Sequence, residues 1–370
     1  MERYEWIATA AFGLEGIVAR ELARLGIDAK AENGGARFFG TFEDAFTANL
    51  HARCADRILL VVGRFEARSF EELFEGVRAL PWENFIGEHT RFPVNGKCAR
   101  SQLMSVRDCQ AITKKAIVER LRSRYHTDWF VEDGETASID VALHGNIAQL
   151  TLDASGTALN RRGYRTWNGE APLRETLAAA LLDVSPWRTW MPLYDPCCGT
   201  GTILIEAAIK AAARPAGIDR SFVCEEFPFM KDVPMAAIRQ AEREKIPAER
   251  SFSITGSDID PEALELCRRH IHQAGFDGQI TVQQQDLRTL QVPDEPGVFL
   301  CNPPYGERLG DKREAEALYR EMGLLLKRHP GWKLCAITSD FAFERCFGRR
   351  ATHKRRLYNG RLECEFYIFE

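Results

Sequence analysis

The chain has 370 residues, 45% of them apolar and 28% charged, with 28 Gly and 16 Pro, which is enough apolar material for two globular cores. This composition excludes a disordered, collagen-like or coiled-coil chain, and apolar runs no longer than Ile58–Val62 or Leu177–Leu182 exclude a membrane-spanning helix. A net charge of −4 excludes a global basic field, so any contact with nucleic acid must come from local patches.

Met1-Glu2-Arg3-Tyr4-Glu5 carries no basic stretch followed by an apolar one, so no secretory leader is read and a cytoplasmic protein is expected. Ile17–Leu25 reads as an amphipathic helix stopped by Gly26, and Ala36–Phe42 as a strand. Ile58–Val62 is a short apolar strand and Phe70–Ala79 a helix. Arg107–Tyr125 is a long helix with Ile112, Ala116, Ile117 and Leu121 on its apolar face. Ala137–Leu143 and Ile147–Ala154 alternate around His144-Gly145-Asn146, a hairpin signature. The layout to this point is α+β.

Beyond a lead-in helix at Leu173–Leu182, strand and helix alternate. Strands are expected at Leu193–Asp195, Ser253–Asp258, Ile280–Asp286, Val298–Asn302 and Lys333–Ser339. Helices are expected at Thr202–Ala213, Pro261–Ala274 and Glu314–Arg328, the second opened by Asp260 as N-cap and Pro261 in its first turn. Strands separated by helices imply a parallel, doubly wound sheet. Thr352–Leu357 and Arg361–Phe369 around Asn359-Gly360 predict a closing antiparallel hairpin. The eleven cysteines are scattered without a C-x-x-C, so buried free thiols and no metal site are expected. His270 and His272, two apart on a helix, face different ways and make no metal pair.

Asp195-Pro-Cys-Cys-Gly199-Thr-Gly201-Thr202 follows a short strand and opens an apolar helix. Its glycines allow a tight turn and close approach of a ligand, although a lone G-x-G is also an ordinary structural turn. The third glycine and the acid about 20 residues on that a nicotinamide fingerprint requires are both missing, which weighs against hydride transfer. Asp258, at the end of the next strand in Gly256-Ser-Asp-Ile-Asp-Pro261, can accept both hydroxyls of a ribose, or can merely cap a turn. Asp286, closing the strand after it, can accept from an adenine amino group. Three strand-end carboxylates without a phosphate loop describe a nucleoside pocket for a ligand such as S-adenosylmethionine. Asn302-Pro303-Pro304-Tyr305-Gly306 ends a further strand. Its prolines stiffen the backbone, so that the Asn302 side-chain oxygen and the Pro303 carbonyl can converge on an exocyclic amine. Tyr305 offers a flat face for a flipped base.

With these residues in place, 161–370 resembles a class I S-adenosylmethionine-dependent methyltransferase of the amino-methylating branch. Within that branch the chain is similar to the THUMP-containing RNA guanine-N2 methyltransferases, especially those of large-subunit ribosomal RNA. The resemblance rests on Arg161–Arg165, Ala171–Leu177, Asp195–Glu206, Gly256–Pro261, Asn302–Gly310 and Leu357–Phe369. It implies a Rossmann-like methyltransferase domain with a C-terminal antiparallel hairpin over 161–370. Before it, over 1–160, it implies an RNA-binding ferredoxin-like plus THUMP region, matched more weakly by Gly13–Ile17, the helix to Gly26 and the Arg107–Arg124 helix. The implied roles are cofactor binding at Asp195, Cys197, Gly199, Gly201, Asp258, Ile259, Asp286 and Leu287, and catalysis at Asn302, Pro303 and Tyr305. Cys197 departs from the family, which would place a larger apolar residue there. The long gap between Asp195 and Asp258 implies an insertion around 215–248.

Two basic runs stand out in a chain that is net acidic: seven Lys/Arg against three acids in 100–130, and six against one in 343–356. Either run can be a plain solvated face. As RNA contacts the candidates are Lys114, Lys115, Arg349, Arg350, Lys354 and Arg355. The expected activity is methyl transfer to guanosine N2 in RNA, ribosomal RNA first and tRNA second, with no metal and no membrane. Asn-Pro-Pro-Tyr serves adenine N6 in RNA or DNA equally well; protein glutamine methyltransferases also use it, but they resemble this chain less in the first 160 residues. An RNA-binding assembly factor with an inert domain is the reading from another class, opposed by the intact tetrapeptide and carboxylates.

Overall fold

Residues 2–165, 173–248, 250–304 and 312–370 are described by the computed structural model of the protein. The chain passes repeatedly between two units. The first comprises Met1–Ala10, Val18–Leu159 and Asp219–Gln240, and the second Ala11–Ile17, Asn160–Ile218 and Ala241–Glu370.

In chain order the first sheet and its helices are β1 (Tyr4–Thr9), α1 (Glu15–Arg24), β2 (Ala29–Glu32), β3 (Gly35–Gly40), α2 (Phe42–His51), β4 (Arg57–Glu66), α3 (Phe70–Ala79), β5 (Val94–Ala99), α4 (Val106–Tyr125), β6 (Ile139–His144) and β7 (Ile147–Asp153). The strands lie in the order β2-β3-β1-β4-β7-β6-β5, and of these pairings only β5 with β6 is parallel. β3 ends at Gly40, short of the expected Phe42, because Thr41 and Asp44 form a reciprocal capping box that starts α2. His144 pairs with Ile147 across Gly145 and Asn146, whose φ values of 59° and 65° are those of a type I′ hairpin loop. On α4 the buried stripe is Cys109, Thr113, Ala116, Ile117 and Leu121, with Ile112 only half-buried.

The second unit contains α5 (Glu175–Val184), β8 (Leu193–Asp195) and α6 (Thr202–Ala211). α7 (Met235–Glu244) crosses from the first unit into it. Then follow β9 (Ile254–Asp258), α8 (Pro261–Ala274), β10 (Ile280–Gln284), β11 (Val298–Cys301), α9 (Lys312–Arg328), β12 (Lys333–Thr338), α10 (Phe343–Phe347), β13 (His353–Asn359) and β14 (Leu362–Phe369). The sheet order is β10-β9-β8-β11-β12-β14-β13, parallel through β12 and antiparallel in the last two strands. Asn359 pairs with Leu362, so the two-residue loop is Gly360-Arg361 rather than the expected Asn359-Gly360. α6 is apolar on almost every side and accordingly buried, which locks the turn before it against the sheet. On the other side of the parallel strands, Phe343 packs its ring 4.8 Å from Tyr319 and 5.2 Å from Tyr367, and Phe347 stacks on Phe369 at 3.9 Å.

The insertion implied around 215–248 has a definite place, since 219–240 completes the first unit. Phe229 packs 5.4 Å from Phe42 and 5.3 Å from Phe85, and Phe222 lies edge-on to Phe46 at 6.0 Å. The Cys224 amide donates to the Ala154 carbonyl, and the Arg239 guanidinium covers the Phe46 ring. A fragment of residues 160–370 therefore strips Phe222 and Phe229 of Phe46, Phe42 and Phe85 and is expected to self-associate. Replacing 219–240 in that fragment with a short Gly/Ser linker is expected to restore a monomer. Light scattering on both fragments checks this, and a monomeric unmodified fragment would contradict it.

Candidate active site

The carboxyl ends of β8, β9, β10 and β11 open on one side of the second sheet, where open parallel sheets carry ligands. A cavity of about 660 Å³ lies there, within the range of small-molecule sites. Its walls include Asp195, Cys197, Gly199, Asp258, Ile259, Asp286, Leu287 and Asn302, eight of the residues singled out from the sequence. Gly201 and Pro303 are buried and are not among its lining residues, and Tyr305 lies outside the described residues.

Asp195 is 1% exposed, and its carboxylate accepts the Cys197 amide at 3.1 Å. Burial pushes its pKa well above the ordinary carboxylate range, and the neighbouring charge of Asp258 adds to the rise. Asp258 ties the turn to β9 by accepting the Gly199 amide at 2.9 Å on one oxygen and the Asp260 amide at 3.1 Å on the other. Each oxygen keeps a lone pair for a ligand hydroxyl. Next to it, Ile259 is 64% exposed and offers the cavity an apolar face. Asp286 is partly engaged: it accepts the Arg288 amide at 2.9 Å and caps the single turn Leu287–Thr289. Gly201 has φ +86° and caps α6 without a side chain, and a Cβ there would sit 2.5 Å from the Cys267 sulfur.

Asn302 follows β11 and is half-buried on the cavity wall, and Pro303 after it is buried. The Tyr319 hydroxyl of α9 donates to the Pro304 carbonyl at 3.2 Å and holds this proline turn from below. The sequence reading missed Tyr319, whose only signal was its place on the apolar face of α9. Arg162, Tyr164, Arg165 and Glu175 stand in stretches that carry the family resemblance, and no local pattern shows their partners. Arg162 and the Tyr164 hydroxyl meet Glu206 inside α6 at 3.2 and 3.3 Å, while Arg165 meets Glu175 at 3.2 Å.

The basic candidates are largely engaged with their own unit. The Lys114 ammonium sits on Glu132 at 2.5 Å and over the Phe92 ring at 3.5 Å, while Lys115 is exposed. In the second unit Lys354 pairs with Glu344 at 2.7 Å, Arg355 donates to the Gly13 carbonyl at 2.6 Å, and Arg349 donates to the Glu370 carbonyl. Arg350 is exposed. β13 is an edge strand, and its charged side chains also guard that edge against pairing with another chain. Among the described residues no helix is long and apolar enough to cross a membrane, and no group of three or more His, Cys, Asp or Glu side chains could hold a metal.

Three family models match the chain: a RMKL-like methyltransferase domain over residues 162–368, an RlmL ferredoxin-like domain over 5–59, and a THUMP domain over 67–153. YpsC of Bacillus subtilis (strain 168), provisionally named an RNA methyltransferase, is 41% identical over 372 residues, covering 100% of this chain and 96% of that protein. Ribosomal RNA large subunit methyltransferase K/L of Methylococcus capsulatus is 35% identical over 99% of this chain, which spans only 51% of that longer protein. The solved structure of SMU.472, provisionally described as a methyltransferase and crystallised with SAH, superposes with a TM-score of 0.95 at 38% identity, covering 100% of this chain and 98% of the other. The chain belongs to the RMKL-like methyltransferase family, with RlmL ferredoxin-like and THUMP domains preceding its methyltransferase domain.

Proposed function

We propose that the protein transfers a methyl group from S-adenosylmethionine to the exocyclic N2 of a guanosine in RNA, ribosomal RNA in the first place. The observation that carries this reading is the opening of Asn302, at the end of β11, onto the same cavity as Asp195 and Asp258. The cavity suits the cofactor. Its volume is that of a small-molecule site, Asp258 has acceptors for a ribose diol, Ile259 offers a face for adenine, and Asp195 can answer a cationic amino-acid end. When bound, S-adenosylmethionine supplies a methyl group on a positively charged sulfur. The Asn302 oxygen and the Pro303 carbonyl accept the two N–H bonds of the target amine, drawing its lone pair out of the ring and toward that methyl. The nitrogen would gain the methyl as the methyl–sulfur bond breaks and sulfur keeps its electron pair, and the proton the nitrogen sheds leaves to water, so no strong base is needed. Tyr305 follows in sequence and would stack on the extruded base. The THUMP and ferredoxin-like domains supply the RNA contact, in keeping with the names of YpsC and of the K/L relatives.

Adenosine N6 is the second reading, because an Asn-Pro-Pro-Tyr grip fits any exocyclic ring amine. Mass-spectrometric nucleoside analysis of separated ribosomal RNA and tRNA from cells lacking the protein decides between them. Loss of N2-methylguanosine from ribosomal RNA supports the proposal, loss from tRNA moves the substrate, and loss of N6-methyladenosine instead overturns the guanine reading.

Asp195 makes the cofactor step pH-dependent. Its raised pKa means that the empty folded protein holds this proton through a window above the ordinary carboxylate range. In that window the folded state binds more protons than the unfolded one, so the group's contribution to stability falls as pH rises. A cationic partner favours the carboxylate, so affinity for S-adenosylmethionine is expected to rise with pH through the same window, with release of a proton. Calorimetry in buffers of different ionisation enthalpy measures this. Asp195→Asn is expected to abolish the proton release, and an affinity flat in pH for the wild type would contradict the role.

A further inference from the structure

The glycine turn that Asp258 anchors has no side-chain cap of its own, yet two of its residues hold left-handed backbone: Gly199 at φ +49° and Gly201 at φ +86°. What holds it comes from elsewhere in the same unit. On the α8 side, the His270 ring meets the Thr200 carbonyl at 3.1 Å. On the other side lies the segment 160–165, bolted to one face of α6 at two positions four residues apart. Arg162 and Tyr164 take Glu206, and Arg165 takes the hydroxyl of Thr202, the first residue of α6. The Arg165 guanidinium also donates to the Leu173 carbonyl at 3.3 Å and is neutralised by Glu175 at 3.2 Å. Thr202 and Leu173 both line the cavity, whereas Arg165 does not.

We propose that Arg165 is a positioning residue for the cofactor, joining two walls of the cavity through Thr202 and Leu173 and so setting the turn at Gly199–Gly201. Only a planar guanidinium presents donors in a fixed fork to a hydroxyl, a carbonyl and a carboxylate together, so lysine is no substitute here. The role rests on the S-adenosylmethionine reading above. Asn302 is carried by a different strand, so the role predicts weaker cofactor binding with the chemical step intact.

The test compares Arg165→Lys, Thr202→Ser, Thr202→Val and the double variant Arg165→Lys/Thr202→Val in the full chain. The readouts are SAH affinity by calorimetry, thermal melting, and kcat and KM for S-adenosylmethionine on the native RNA. Arg165→Lys is expected to weaken SAH and raise KM about tenfold or more, the size of a lost charged hydrogen bond, with kcat at saturation within about threefold of wild type. Thr202→Ser keeps the hydroxyl and is expected to bind as wild type. Thr202→Val is expected to weaken SAH in the same direction, and the double variant to be no worse than Arg165→Lys alone, because that variant already removes the bond to Thr202. An Arg165→Lys protein with SAH affinity within about twofold of wild type overturns the role. So does a lowered melting temperature at unchanged KM, or additive losses in the double variant. A wild-type protein that binds no SAH at all overturns the cofactor reading, and this role with it.

Discussion

Asn302→Ala is expected to lower turnover about 10²–10³-fold while SAH affinity stays at the wild-type level, by analogy with deletion of one oxyanion-hole donor. An exocyclic amine is a poor nucleophile because its lone pair is delocalised into the ring, so the enzyme must hold the nitrogen near tetrahedral geometry. Asn302 is placed for this by β11, whose four residues are all buried, and by a proline turn held from α9 through Tyr319. Its acceptor gains value as the nitrogen becomes positive, so its loss falls on kcat more than on KM. Single-turnover kinetics with saturating cofactor and RNA measure the effect, and calorimetry with SAH shows whether the cavity is intact. Near-normal turnover by the variant on RNA that the wild type modifies would end the amino-methyltransferase reading.

Asp258→Ala is expected to weaken S-adenosylmethionine about 10²-fold, and here affinity rather than turnover takes the loss. Two ligand hydroxyls on one carboxylate give charged hydrogen bonds of about 1.5–3 kcal/mol each, discounted because the group is half-buried. A second cost arises in the protein itself. The Gly199 and Asp260 amides lose their acceptor, and the turn between β8 and α6 is left with the Cys198 amide on the Ser257 carbonyl as a hydrogen bond to β9. Asp258→Asn keeps one acceptor oxygen and should recover part of the loss. Unchanged calorimetric affinity in Asp258→Ala would move the ribose site elsewhere.

Local signals carried the second unit further than the first. Its strands and helices alternate with strong apolar patterns, and Asp260-Pro261 and Gly275 bound α8 at the residues where it begins and ends. The first unit hides β2 as a short exposed edge strand and β5 as a polar strand broken by Gly96, so neither shows an apolar run. The capping box at Thr41 and Asp44 is legible in the sequence, and it ends β3 before α2 begins.

By itself the sequence determined the order of the elements, the three strand-end carboxylates and Asn302-Pro303-Pro304-Tyr305, because each rests on residues adjacent in the chain. Parallel strands bring their carboxyl ends to one edge, so recognising the fold was enough to put Asp195, Asp258, Asp286 and Asn302 around one cavity. Only tertiary structure decided where the insertion goes, since Phe222 and Phe229 find Phe46, Phe42 and Phe85 more than 130 residues away in the sequence. It also decided which cations are available. Lys114 and Lys354 look alike as members of basic runs, yet Glu132 and Glu344 neutralise them through contacts that no local pattern records. Arg165 is the clearest case. Its role depends on Leu173, Glu175 and Thr202 converging on one guanidinium, and convergence of separate segments is a property of packing, not of spacing along the chain.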